Sequence, residues 1–208
     1  MSFDLWLAFA AASTVLLIIP GPTILLVLSY ALTQGKRVAV ATALGVALGD
    51  LIAMSASLLG LGALVAASAT AFVALKWVGA VYLLYLGIKM LRSAPKASLG
   101  DVTQMDHVSA THVFGHAALV TALNPKSIGF FIAFVPQFIR PETSLAPQFA
   151  ALITTFVGLA ALNALAYALL ANKMRGRIQR PRVLRNLTRT GGVALIGMGA
   201  LTATLKRA

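Results

Sequence analysis

The feature that most constrains this chain is a succession of apolar runs, each close to the length that crosses a lipid bilayer. About 20 helical residues cover the roughly 30 Å hydrocarbon core. Six runs reach that length, approximately 5–32, 38–61, 70–91, 113–139, 149–171 and 188–205. Only 11% of the 208 residues are charged and 59% are hydrophobic, whereas soluble domains carry about 25% charge. The expected class is therefore an all-α integral membrane protein, with no room for a separate soluble domain.

The net charge of +12 would suit nucleic acid only if the basic residues formed a groove-binding face. They gather instead in the short gaps between apolar runs. Lys36, Arg37, Lys89, Arg92, Lys96, Lys173, Arg175, Arg177, Arg180, Arg182, Arg185 and Arg189 fall on one side, against Arg140, Lys206 and Arg207 on the other. Cytoplasmic loops carry such an excess, so these gaps are expected inside and both termini outside. Anionic lipid at the cytoplasmic leaflet is the natural partner of the basic gap 173–189. The opening Met1-Ser2-Phe3-Asp4 has no basic stretch, so the first run reads as a retained span rather than a cleaved signal. Cysteine is absent, which removes disulfides, thiolate metal sites and cysteine nucleophiles.

Two of the runs are interrupted. Pro20-Gly21-Pro22 breaks the first, because each proline lacks an N–H and clashes with the preceding turn while glycine restrains the backbone little. Asn124-Pro125-Lys126 breaks the fourth. Polar backbone freed at membrane depth is tolerated only where protein or a water-filled cavity surrounds it, so a broken span marks a place where something polar binds. Pro125 follows Pro20 by 105 residues in a chain of 208. One break per half, with three spans per half, gives two inverted three-helix repeats, residues 1–92 and 113–208, joined by a cytoplasmic linker at 93–112 in a single transmembrane domain; paired breaks of this kind point to a transporter's binding site.

Few polar residues remain within the spans. Asp50 lies mid-span, where a charge costs at least about 2.5–3.5 kcal/mol, so it should face the interior with a partner. Desolvation and nearby cations compete to set its protonation, which can therefore change as a cavity opens to either side. Its plainer role is a structural carboxylate. Lys126 is the natural counter-charge, either tying the halves together through Asp50 or binding a substrate carboxylate beside half-helix N–H groups. Asn124 and Asn163 can hydrogen-bond a substrate or bridge helices. Lys76 beside Trp77 reads as an interfacial anchor. His107, His112 and His116 have no carboxylate beside them and are not taken as a metal site; no cofactor is called for. The small-residue stripe Ala41, Gly45, Gly49, Ala53 and Ser57 reads first as a packing seam and second as a homodimer seam.

Other classes fit less well. A hydrolase needs a nucleophile and base at membrane depth, and only His116, near a span end, is offered. A divalent-metal exporter wants more than one buried carboxylate. A channel needs pore symmetry and non-saturating conductance. With Pro20-Gly21-Pro22, the GVALGD stretch ending at Asp50, Lys76 with the run Tyr82 to Gly87, Leu123-Asn124-Pro125-Lys126 and Pro136-Gln137-Phe138 in view, the sequence resembles the LysE/RhtB family of bacterial amino-acid exporters over nearly its whole length. The resemblance implies a six-span secondary exporter of amino acids, driven by the proton gradient across the inner membrane, with site positions Pro20, Gly21, Pro22, Asp50, Asn124, Pro125 and Lys126. It does not choose a substrate. An exporter of another small solute, or of a divalent cation, and a channel stand as the alternatives.

The charge split generates the first prediction. Single cysteines placed at Lys36, Lys96 and Arg180 in this cysteine-free chain should resist an impermeant maleimide in intact cells and react after permeabilisation; labelling of Arg180→Cys from outside would overturn the orientation.

Overall fold

The computed structural model describes residues 1–19, 21–34, 36–94, 108–140, 143–178 and 181–204. Pro20, most of the expected linker including Lys96 and His107, and the extreme C-terminus lie outside the described residues, as do the side chains of Lys76 and of the gap 172–181. The described chain is helical throughout, with no strand. In order, α1 spans Phe3–Ile18, α2 Pro22–Gln34, α3 Lys36–Ala67, α4 Ala69–Ser93, α5 Ala110–Ala122, α6 Pro125–Ala133, α7 Leu145–Ile178 and α8 Pro181–Thr204, with a 3-10 turn at Val135–Phe138 after α6.

Within α3, α4 and α7 the stretches Val38–Leu64, Val73–Ser93 and Leu145–Ala171 are each long and apolar enough to cross a membrane. Two further pairs qualify jointly: α1 with α2, bent by 56° at its break, and α5 with α6, bent by 44°. Counting each bent pair once gives up to five spans by length and composition. The sixth expected run falls in α8, whose apolar stretch is diluted by Arg189 and by glycines and threonines from Thr188 onward. Both long helices exceed their expected runs. At 1.5 Å per residue, the 32 residues of α3 and the 34 of α7 extend about 50 Å, beyond the hydrocarbon core at one or both ends.

Packing follows the small residues. The main neighbours of α3 are α5 and α7, while α4 lies against α8 and α6. At Gly49 an added Cβ would stand 2.5 Å from the Ala118 carbonyl oxygen and 2.9 Å from the Ala122 nitrogen, and at Gly45 it would meet the Phe114 carbonyl. The stripe on α3 is thus the seam against α5, within one chain. Gly87 and Gly192 face each other in the same way where α4 crosses α8. No hydrophobic force drives helix onto helix in lipid, so this backbone-to-backbone fit supplies dispersion contact that a lipid tail cannot. Leu44, Ile52, Leu59, Val78, Val81, Leu162 and Val193 point outward and are exposed, as side chains facing hydrocarbon should be.

A cluster of phenylalanines fills one side of the core. Phe9 from α1, Phe130 and Phe131 from α6, Phe134 and Phe138 beyond it, and Phe156 from α7 are all buried, with successive ring centroids 4.8–6.5 Å apart. Offset and edge-on contacts at this spacing add about 0.5–1.5 kcal/mol per pair beyond area burial.

Glycines with and without neighbours should behave differently. Gly49→Ala should destabilise the detergent-solubilised protein by about 1–3 kcal/mol, as overpacking does. Gly158→Ala, with nothing within 4 Å of the added Cβ, should be neutral or slightly stabilising. Equal melting temperatures for the two variants would contradict the seam.

Candidate functional site

The break after α1 sets the geometry of the site. An α-helix ends with carbonyls that have no partner within it, and inside a membrane water is not there to take them. Four consecutive carbonyls at this end, Leu16 to Ile19, are each met by a side chain from the other half of the protein. Lys126 Nζ donates to the Leu16 carbonyl at 3.0 Å and to the Ile19 carbonyl at 2.8 Å. Asn163 Nδ2 donates to the Leu17 carbonyl at 3.0 Å, and the Tyr167 hydroxyl donates to the Ile18 carbonyl at 2.9 Å. Asn163 and Tyr167 are one turn apart on α7 and so share a face.

The second break is built from its own cap. Asn124 precedes α6 with extended backbone, and its Oδ1 accepts from the Lys126 backbone N–H at 3.0 Å. Pro125 follows at the first helical position, where its missing N–H costs nothing. The Asn124 amide is thereby oriented so that Nδ2 donates to Thr23 Oγ1 at 3.0 Å, and Thr121 Oγ1 reaches the same oxygen at 3.4 Å. Thr23 lies in the first turn of α2 and Thr121 in the last turn of α5. The two breaks therefore meet through side chains.

Between them lies a small cavity of about 20 Å³, bounded by Leu16, Thr23, Asp50, Asn124, Lys126, Ser127 and Asn163 among others. One water needs about 10–15 Å³ on this measure, so an amino acid would fit only after the helices part. Asp50 is 2% exposed, and its Oδ1 has no hydrogen-bond partner. The direct Asp50–Lys126 ion pair weighed from sequence is not how the ammonium is held: Lys126 spends its donors on α1, leaving the carboxylate across the cavity as an electrostatic neighbour. A buried acceptor without a donor costs about 1–3 kcal/mol, and here it lines the cavity between the breaks. The first turns of α2 and α6 border that space too, through Thr23 and Ser127, and helix starts favour negative charge. One cavity thus presents an acid on one side and an ammonium with two helix starts on the other.

Of the residues singled out from sequence, Asp50, Asn124, Lys126 and Asn163 line this cavity. Gly21 lies against Lys126, where an added Cβ would stand 3.4 Å from both Cε and Nζ, and it does not adopt the left-handed backbone. Pro22 and Pro125 open α2 and α6 but are exposed, so they make the breaks without lining the cavity. Pro20 lies outside the described residues. Thr23, Ser127 and Tyr167 were not singled out. A polar residue one turn after Asn163 in an apolar run was the available signal for Tyr167. His116 is placed elsewhere, with Nδ1 2.7 Å from the Tyr30 hydroxyl and its ring next to that of His112.

Among the described residues, the two broken helices meet around a buried acid and a lysine, an arrangement suited to holding a small polar solute. The family model for LysE type translocators matches residues 14–205, and the chain belongs to that family. It is 34% identical over its whole length to the homoserine/homoserine lactone efflux protein of Salmonella typhimurium, covering all of that protein. Its counterpart of the same name in Salmonella typhi is 33% identical over the same span. An uncharacterized membrane protein of Vibrio cholerae is 34% identical over 99% of this chain and all of its own. No solved structure matches the chain. Family and relatives together support a multi-pass membrane protein that exports small molecules, and not an enzyme.

The cap on α1 makes a measurable claim. Asn163→Leu, close in shape but unable to donate, leaves the Leu17 carbonyl buried and unpaired and should cost about 1–3 kcal/mol. Tyr167→Phe, which removes the donor to the Ile18 carbonyl, should cost about 1 kcal/mol. Thermal unfolding in detergent reads both; an unaffected Asn163→Leu would remove the side-chain cap from the account.

Proposed function

We infer that this protein exports an amino acid or a close relative, of the size and polarity of homoserine, across the bacterial inner membrane in exchange for protons. The carrying observation is the arrangement around the cavity between the breaks. A zwitterion needs opposite partners for its two ends. Asp50 supplies one for the ammonium; Lys126 with the first turns of α2 and α6 supplies the other for the carboxylate. The family and the two efflux proteins make an exporter the frame in which to read that chemistry.

The architecture we propose is six spans in two inverted repeats, with both termini periplasmic and residues 93–112 forming the cytoplasmic linker. Several features support it. Corresponding helices meet one another, α3 on α7 and α4 on α8, a pairing compatible with an in-plane two-fold axis. Gly45 and Asp50 on α3 have the same separation as Gly158 and Asn163 on α7. In this reading Asp50 and Asn163 occupy related positions, and only the first can carry a proton. Rocking of one repeat against the other would open the cavity to each side in turn. Because the stripe on α3 is used against α5, a homodimer would need a different face.

Proton coupling is assigned to Asp50, the carboxylate at mid-membrane depth. Asp50→Asn should insert and fold, since an amide fills the same volume, yet lose export driven by an imposed pH gradient in proteoliposomes by at least about tenfold. Gradient-driven export at the full rate by the Asn variant would assign Asp50 to structure and move the coupling elsewhere.

A further inference from the structure

Lys126 reaches from α6, across the interface between the halves, into the broken end of α1. The residue is 7% exposed, and its ammonium is held by the carbonyls of Leu16 and Ile19 at 3.0 and 2.8 Å. Asn163 and Tyr167 take the two carbonyls between, which fixes all four and keeps the helix end from closing on itself. Backbone carbonyls at the C-terminal end of a discontinuous membrane helix, with a carboxylate nearby, are what a monovalent cation such as sodium requires. The negative end of the α1 dipole adds to the attraction. In this chain the position is filled by a charge on a four-carbon stem.

We propose that the broken end of α1 is a monovalent-cation site whose occupant is the tethered ammonium of Lys126, so that the exporter carries its own structural cation and needs no free one. The ammonium has two functions in consequence. It satisfies α1 while the cavity is closed, and it is the positive group nearest to the place where the substrate carboxylate would bind. A carboxylate that draws Nζ away from Leu16 and Ile19 would free the end of α1, which links substrate recognition to parting of the halves. This last consequence rests on the cavity being the transport site. The cation site itself stands on the carbonyl geometry and is tested without transport.

The test is removal and replacement of the charge. Lys126→Met keeps an apolar stem of about the length that lysine has up to Cε and removes the ammonium. In detergent, the Met variant should melt below wild type and gain about 5 °C, saturably, in methylammonium or sodium chloride relative to choline chloride at equal ionic strength. Wild type should show no difference among these salts. Because the chain has no cysteine, Lys126→Cys gives an independent arm: a charged aminoethylthio adduct should restore the melting temperature and abolish the salt response, and a neutral methylthio adduct should do neither. A variant that recovers only as the charged adduct supports the site. A Met variant as stable as wild type, or equal effects of charged and neutral adducts, or equal effects of small and bulky cations, overturns it. Full export by the Met variant alongside the expected cation response would instead contradict the transport reading alone.

Discussion

A helix that stops inside a membrane must find donors for the carbonyls it exposes, and in this protein that requirement organises the rest. The donors to Leu16, Leu17, Ile18 and Ile19 come from α6 and α7, so the first half cannot satisfy its own break. Lys126 is held in place by the cap of Asn124, and Asn124 in turn binds Thr23 at the start of α2. The two interruptions are therefore one structure. Each break supplies what the other lacks, and the cavity is what remains between them once the backbone is satisfied.

Asp50 is the exception to this completeness. Thr23, Asn124, Lys126 and Asn163 around the cavity each have a partner, whereas Asp50 Oδ1 has none. Leaving it so is costly in a dry core, which a structural carboxylate would avoid by taking the ammonium directly. An unpaired acceptor facing a small polar space is instead suited to a ligand or a proton that comes and goes. On the α6 side the phenylalanine cluster of Phe9, Phe130 and Phe156 packs tightly, and the cavity holds little more than one water; the structure is closed around its site.

Much of this was legible from the residues alone. Proline and glycine in an apolar run report a break regardless of tertiary context, and an acid in mid-span reports an interior-facing position because lipid will not accept it. Those signals located Gly21, Asp50, Asn124 and Lys126. Pairings were harder to read. Opposite charges in two spans suggested an ion pair, and nothing in the one-dimensional pattern shows that the ammonium would find carbonyls first. Tyr167 was missed for a related reason, since tyrosines in membrane spans usually mark the interface and its partner is backbone, which leaves no trace in side-chain chemistry. The ends of α3 and α7 ran past their apolar runs because helices continue into the interface where charged residues are welcome.

The breaks face each other, and in the mechanism we propose the halves part there during transport. Thr23 and Thr121 bring their hydroxyl oxygens within 3.4 Å from opposite halves, and both tolerate a sulfur of similar size. In the cysteine-free background, Thr23→Cys with Thr121→Cys should cross-link under mild oxidation, arrest export in proteoliposomes, and recover it on reduction. Failure of the pair to cross-link, or full export by the oxidised protein, would contradict the account.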